Sequence, residues 1–137
     1  WVNDTRIGEA EGWKYTDVHD TQVSLYQDGD HVIAIHAYDV HGVISGLIAA
    51  VSLDGVPKSM TGDGQWKMSK TKPAVNWTRA QFDDSTWETP ELVDSTDVGY
   101  YWKNRPTDLT DAGAQWVWDG EPKALNDVWF RYVFSVP

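Results

Sequence analysis

The chain has 137 residues, 11 Lys+Arg against 21 Asp+Glu, no Cys and nine Trp, for a formal charge of −10, which fits one domain with a single sizeable core. That charge opposes attraction to nucleic-acid phosphate and to anionic lipid, so neither is an expected partner, and no run of 18 apolar residues offers a membrane span. The absence of Cys removes disulfide scaffolds, thiolate zinc sites and Cys nucleophiles together, and leaves the redox compartment open.

The acidic residues divide into 16 Asp and five Glu, a bias toward the residue that caps turns and ligates hard cations. The chain opens on Trp1 with no initiator Met and no visible signal peptide, as a processed or excised chain would. Short alternating segments separated by Gly, Asp, Asn and Pro recur from end to end, and no window supports a long amphipathic helix. Residues 32–38 (VIAIHAY) are apolar on both faces apart from His36, as expected of a central strand. Residues 43–53 (VISGLIAAVSL) are its predicted partner, joined to it by a turn at residues 39–42. Residues 54–64 (DGVPKSMTGDG) hold three Gly and a Pro and form the predicted break between two halves. All six Pro lie in or after this stretch, at positions 57, 73, 90, 106, 122 and 137, in flanking sequences that do not match, so they punctuate strands and loops and do not mark a repeat. In the last segment Val128, Phe130, Tyr132, Phe134 and Val136 alternate with Trp129, Arg131, Val133 and Ser135, which puts one face of a strand in the core. The predicted architecture is all-β, a single two-sheet antiparallel β-sandwich (jelly roll) of about eight strands over residues 1–137.

Catalytic patterns are missing. The four His, at 19, 31, 36 and 41, have no HExxH spacing, and Ser45-Gly46 lacks the leading Gly of a nucleophile elbow. Carboxylate pairs arise freely in Asp-rich loops, so they do not point to a glycosidase, and the chain is expected not to be an enzyme. Residues 99–118 are long, polar and aromatic, with Tyr100, Tyr101, Trp102, Arg105, Asp108, Trp116 and Trp118. Sugars present an apolar C–H face to aromatic rings and hydroxyls to polar groups, which makes this segment a candidate glycan platform. Tyr101 and Trp102 are the expected stacking residues, with Arg105 and Asp108 the hydroxyl partners. The competing reading sends Trp116 and Trp118 into the core and leaves the rest as a long connection. Asn3-Asp4-Thr5 and Asn76-Trp77-Thr78 are N-glycosylation sequons.

Residues 77–87 (WTRAQFDDSTW) and 128–137 (VWFRYVFSVP), with Trp66-Lys67 in DGQWKMS, Gly29 with residues 32–34, and residues 42–46 leading into Leu47, resemble galactose-binding-domain-like jelly rolls. Such domains are attached to rhamnosidases, other glycoside hydrolases and sialate esterases. In them the DGxWK and FDDSxW elements come first, the WFR strand next and the glycine-rich strands last. Here the last group precedes the others, so the chain looks circularly permuted or cut from a tandem array. The resemblance implies an extracellular or cell-surface module that binds glycans. It also implies calcium, for which Asp28, Asp30 and Asp39 are the candidate ligands. The Asp83-Asp84-Ser85 element reads as turn chemistry between Trp77 and Trp87, and Arg131 as a structural residue that stacks on a Trp or pairs with a buried Asp. The expected function is a non-catalytic carbohydrate-binding, lectin-like or accessory module. The alternative is a structural repeat that packs against neighbouring β-sandwich modules of a cell-surface or filament protein. A weaker third reading is the accessory sandwich of a glycoside hydrolase.

Overall fold

The computed structural model describes residues 1–10, 18–93 and 106–137. In chain order its elements are β1 (Gly29–Tyr38), β2 (Ala50–Leu53), β3 (Val56–Met60), β4 (Lys67–Ser69), β5 (Glu91–Leu92), the short helix α1 (Thr107–Asp111), β6 (Val117–Trp118) and β7 (Asp127–Val136). The fold is all-β, and every strand pair is antiparallel. Among the described residues no helix is long and apolar enough to cross a membrane.

The alternating C-terminal segment becomes the central strand of the main sheet, whose order is β1-β7-β4. β1 and β7 pair over ten residues each, from Gly29 opposite Val136 to Tyr38 opposite Asp127, and β4 lies on the other side of β7 with Lys67 opposite Arg131. The partner of β1 is thus β7, not residues 43–53 as the sequence suggested. Asp39 does make a turn, accepting hydrogen bonds from the His41 and Gly42 amides and from the Ser45 hydroxyl. That turn carries the chain away from β1 without forming a hairpin. Leu47 then bridges to Val117, and β2 pairs with β3. The β2–β3 turn is Asp54-Gly55 with positive φ at both residues (50° and 77°), the twist that a two-residue hairpin requires. Residues 54–64 accordingly hold a hairpin turn, β3 and a second glycine turn. The main sheet draws its strands from both sides of that stretch.

The β1-β7-β4 sheet is covered on both faces, which explains why β1 is apolar on both. On one face Val128, Phe130, Tyr132 and Met68 pack with Trp66, Ile44, Val93, Val117 and Trp118. On the other, Val32, Ala34 and Trp129 pack with Trp77, flanked by Trp1, Ala80, Phe82 and Trp87 from the N-terminus and residues 73–88. Trp118 is core and Trp116 is half-buried against it, as the competing reading of residues 99–118 expects of these two. The small β5–β6 and β2–β3 sheets are tied together by the Leu47–Val117 bridge and by Thr61. Thr61 has no exposed surface, donates from its hydroxyl to the Gln115 carbonyl at 2.7 Å and accepts from the Ala49 amide at 3.1 Å.

The N-terminal residues close the free edge of β1. Val2 bridges Ile33, the Trp1 nitrogen donates to the Ala34 carbonyl at 2.8 Å, and the Val32 amide donates to Asn3 Oδ1 at 3.0 Å. Asn3 Nδ2 donates to His31 Nδ1 at 2.6 Å, which leaves His31 Nε2–H to donate to the Gln27 carbonyl at 2.9 Å. These two partners together select one neutral tautomer. Asp4 then accepts from the Thr78 hydroxyl and, at 2.6 Å, from Arg79 Nε, clipping the N-terminus onto residues 73–88.

Candidate functional site

Three sequence segments far apart in the chain meet at one cation. Arg131 lies mid-strand on β7 with its side chain wholly buried, so every N–H it carries needs an acceptor. Nε donates to the Trp77 carbonyl (2.9 Å), Nη2 to the Arg79 carbonyl (2.7 Å), and Nη1 to both the Phe82 carbonyl (3.4 Å) and Asp84 Oδ2. Its guanidinium carbon sits 5.0 Å from the centre of the Phe82 ring and 5.9 Å from that of Trp87. Asp84 Oδ1 accepts from Lys67 Nζ at 2.7 Å. Lys67 of DGQWK, Asp84 of FDDS and Arg131 of WFR therefore form one ion-pair group. Burial pulls the Arg131 guanidinium below its ordinary value, with Asp84 opposing the shift. Asp83 keeps the expected turn role, accepting from the Ser85 amide at 3.0 Å. Through these internal bonds the group holds residues 77–87 on the sheet.

The residues singled out from the sequence are scattered. Tyr101, Trp102 and Arg105 lie outside the described residues, and Asp108 is exposed in the first turn of α1. Asp28 is exposed at the start of β1, Asp30 accepts from the Ser135 hydroxyl, and Asp39 follows the far end of the same strand. A ten-residue strand is about 30 Å long, so these carboxylates cannot share one ion. Asp39 is moreover occupied by three turn hydrogen bonds, and among the described residues no three His, Asp or Glu converge on a possible metal position. Asp28 with Asp30 and the Asp39 turn are thus two separate places at opposite ends of β1. Of the sequons, Asn3 has its Nδ2 held by His31 within the N-terminal pairing, whereas Asn76 is exposed.

Residues that sequence reasoning passed over come together at the Tyr38–Asp127 end of the sheet, where β1, β4 and β6 all finish and β7 begins. Lys70, Asp119, Glu121, Leu125, Asn126 and Asp127 line a cleft of about 260 Å3 there. Asp119 is buried and accepts from the Glu121 amide at 2.8 Å and from Asn126 Nδ2 at 2.7 Å, which fixes the shape of the loop that forms one wall. The Asp39 turn braces the same loop, with the Ser45 amide bonded to the Pro122 carbonyl at 2.6 Å. Tyr38, 63% exposed, lies directly across the ladder from Asp127 on the same sheet face. Behind it His36 stacks flat on Trp129, with ring centres 4.8 Å apart. No motif marked these residues: five lie between the end of β6 and the start of β7, and Lys70 follows β4. A second, more apolar cleft of about 210 Å3 is lined by Gly62, Gly64, Trp66, Thr89, Pro90 and Leu92.

Comparisons with family models, with curated proteins and with solved structures returned no match to this chain.

Proposed function

We propose that the chain is a non-catalytic carbohydrate-binding module of the galactose-binding-domain-like kind, working outside the cell or at its surface. Its architecture in this reading is a two-layer jelly roll, with β1-β7-β4 in one sheet and β2–β3 and β5–β6 in the other. The observation that carries the reading is the meeting of Lys67, Asp84 and Arg131. The three segments that bear the resemblance serve one structural purpose, as parts of one kind of domain would, despite their altered order. Glycan contacts in this reading involve Tyr101, Trp102, Arg105 and Asp108, since consecutive aromatics on an extended segment cannot all face one core.

A glycan array followed by calorimetry on wild type and Trp102→Ala tests the proposal. A stacking aromatic contributes about 1–2 kcal/mol, so the variant should bind roughly ten-fold more weakly with its fold intact. No glycan hit, together with unfolding of Trp102→Ala, would favour the structural repeat module instead.

A further inference from the structure

We propose that Asn76, and not Asn3, carries an N-linked oligosaccharide; this rests on the reading of the chain as a module working outside the cell. Asn76-Trp77-Thr78 and Asn3-Asp4-Thr5 are both acceptor sequences by their spacing. The fold treats them differently. Asn76 is exposed in a turn beyond β4, where the Trp77 amide donates to the Ala74 carbonyl at 3.1 Å and the Arg79 amide to the Asn76 carbonyl at 3.0 Å. Among the described residues no hydrogen bond holds the Asn76 side chain. Val75, just before it, is 97% exposed, so the turn stands clear of the fold. Trp77, just after it, is buried with Val32, Ala34 and Trp129, which anchors the turn to the sheet and gives a bulky sugar a fixed base in open solvent.

Asn3 has neither property. Its φ is 47°, its amide donates to the Val32 carbonyl at 3.2 Å, Oδ1 accepts from the Val32 amide at 3.0 Å and Nδ2 donates to His31 Nδ1 at 2.6 Å. His31 itself is 5% exposed, so a sugar on that nitrogen intrudes on a packed ring and opposes docking of the N-terminal residues on β1. In the transfer to Asn76, Nδ2 attacks the anomeric carbon of a polyprenyl-pyrophosphate oligosaccharide. The bond from that carbon to the pyrophosphate oxygen breaks, the N–C bond forms, the lipid pyrophosphate leaves, and Nδ2 gives up one of its two protons. Thr78, whose hydroxyl completes the acceptor sequence, is 6% exposed and donates to Asp4 in the folded chain. The transfer therefore precedes docking of the N-terminus on residues 73–88. A chain modified at Asn76 then folds unhindered, whereas one modified at Asn3 cannot close the β1 edge.

The test is mass spectrometry of the chain secreted from eukaryotic cells behind a cleavable signal sequence, intact and as peptides, before and after N-glycanase, with Asn76→Gln and Asn3→Gln alongside. Wild type should exceed the 15.5 kDa of the polypeptide and return to it on N-glycanase treatment, with Asn76 converted to Asp by the enzyme. The excess mass should vanish in Asn76→Gln and persist in Asn3→Gln. Peptide mapping of wild type locates the sugar whether or not a variant is secreted. Wild type at the bare polypeptide mass would overturn the proposal, as would sugar on Asn3, alone or together with Asn76. Neither result touches the carbohydrate-binding reading, which stands or falls on the glycan array.

Discussion

A guanidinium with no exposed surface is costly unless its donors are all used, and Arg131 makes four hydrogen bonds, three of them to backbone carbonyls. Removing it leaves three backbone carbonyls without that donor and Asp84 with Lys67 alone. Arg131→Met should therefore cost about 3–5 kcal/mol in chemical denaturation, and Arg131→Lys should recover only part of that because an ammonium cannot reproduce the fork. Adding Asp84→Leu to Arg131→Met should cost less than the sum of the two single changes, because the two residues share one bond. A loss under about 1 kcal/mol for Arg131→Met would remove the cation from the account of the fold. Asp63 carries a pH effect of known sign. Its burial raises its pKa, but hydrogen bonds from the Ser59 hydroxyl, the Gln65 and Met60 amides and the Gln65 side chain outweigh this and hold the carboxyl below its ordinary 3.8. A depressed native value means that the stabilisation is complete above pH 3.8 and is lost as pH falls through the lowered native value. Asp63→Asn should flatten the acid limb of the stability curve in that window. Equal acid limbs for the two proteins would show that the turn does not contribute.

At the scale of elements, the strands hold together through a few residues placed between them. β5, β6 and β2 are two to four residues long, too short for their ladders alone to be stable. Thr61 compensates by bonding through backbone and hydroxyl to both Ala49 and Gln115. Thr61→Val keeps the shape and removes the hydroxyl, leaving the Ala49 amide without a partner. A loss of about 1–3 kcal/mol is expected, while Thr61→Ser, which keeps the hydroxyl, should lose less. If Val proves as stable as Thr in thermal denaturation, the hydroxyl is not the link between the two small sheets. The β2–β3 turn illustrates a signal that can be read locally, because Asp-Gly states its own backbone conformation. The pairing of β1 illustrates one that cannot. Residues 32–38 announce a doubly buried strand, but any apolar strand could lie beside it, and the nearest in sequence is not the one that does.

For the molecule as a whole, both ends of the described chain flank β1, with Val2 against Ile33 on one side and β7 on the other. Amides in that triple layer lie in the best-protected part of the fold. In native-state hydrogen exchange the amides of Asn3 and Ala34, bonded across this edge, should exchange as slowly as those of mid-β7. Sedimentation should show a concentration-independent monomer, since the N-terminal residues cap an edge that would otherwise recruit another strand. Rapid exchange at Asn3 and Ala34 together with self-association would mean that this edge is open in solution and that neighbouring modules normally cover it.

The all-β class, the core face of β7, the burial of Trp118 and the turn roles of Asp39 and Asp83 were legible from residue order, because alternation and turn chemistry are local properties of a chain. The partnership of Arg131 was half legible: a cation among aromatics on an apolar strand must find acceptors, but nothing local names Asp84, 47 residues away. Strand order and the cleft at the Tyr38–Asp127 end belong to the tertiary structure alone. They arise where the ends of β1, β4, β6 and β7 coincide in space, and coincidence of ends is decided by which strands pair and in what register. A period of two along any one strand carries no information about that pairing.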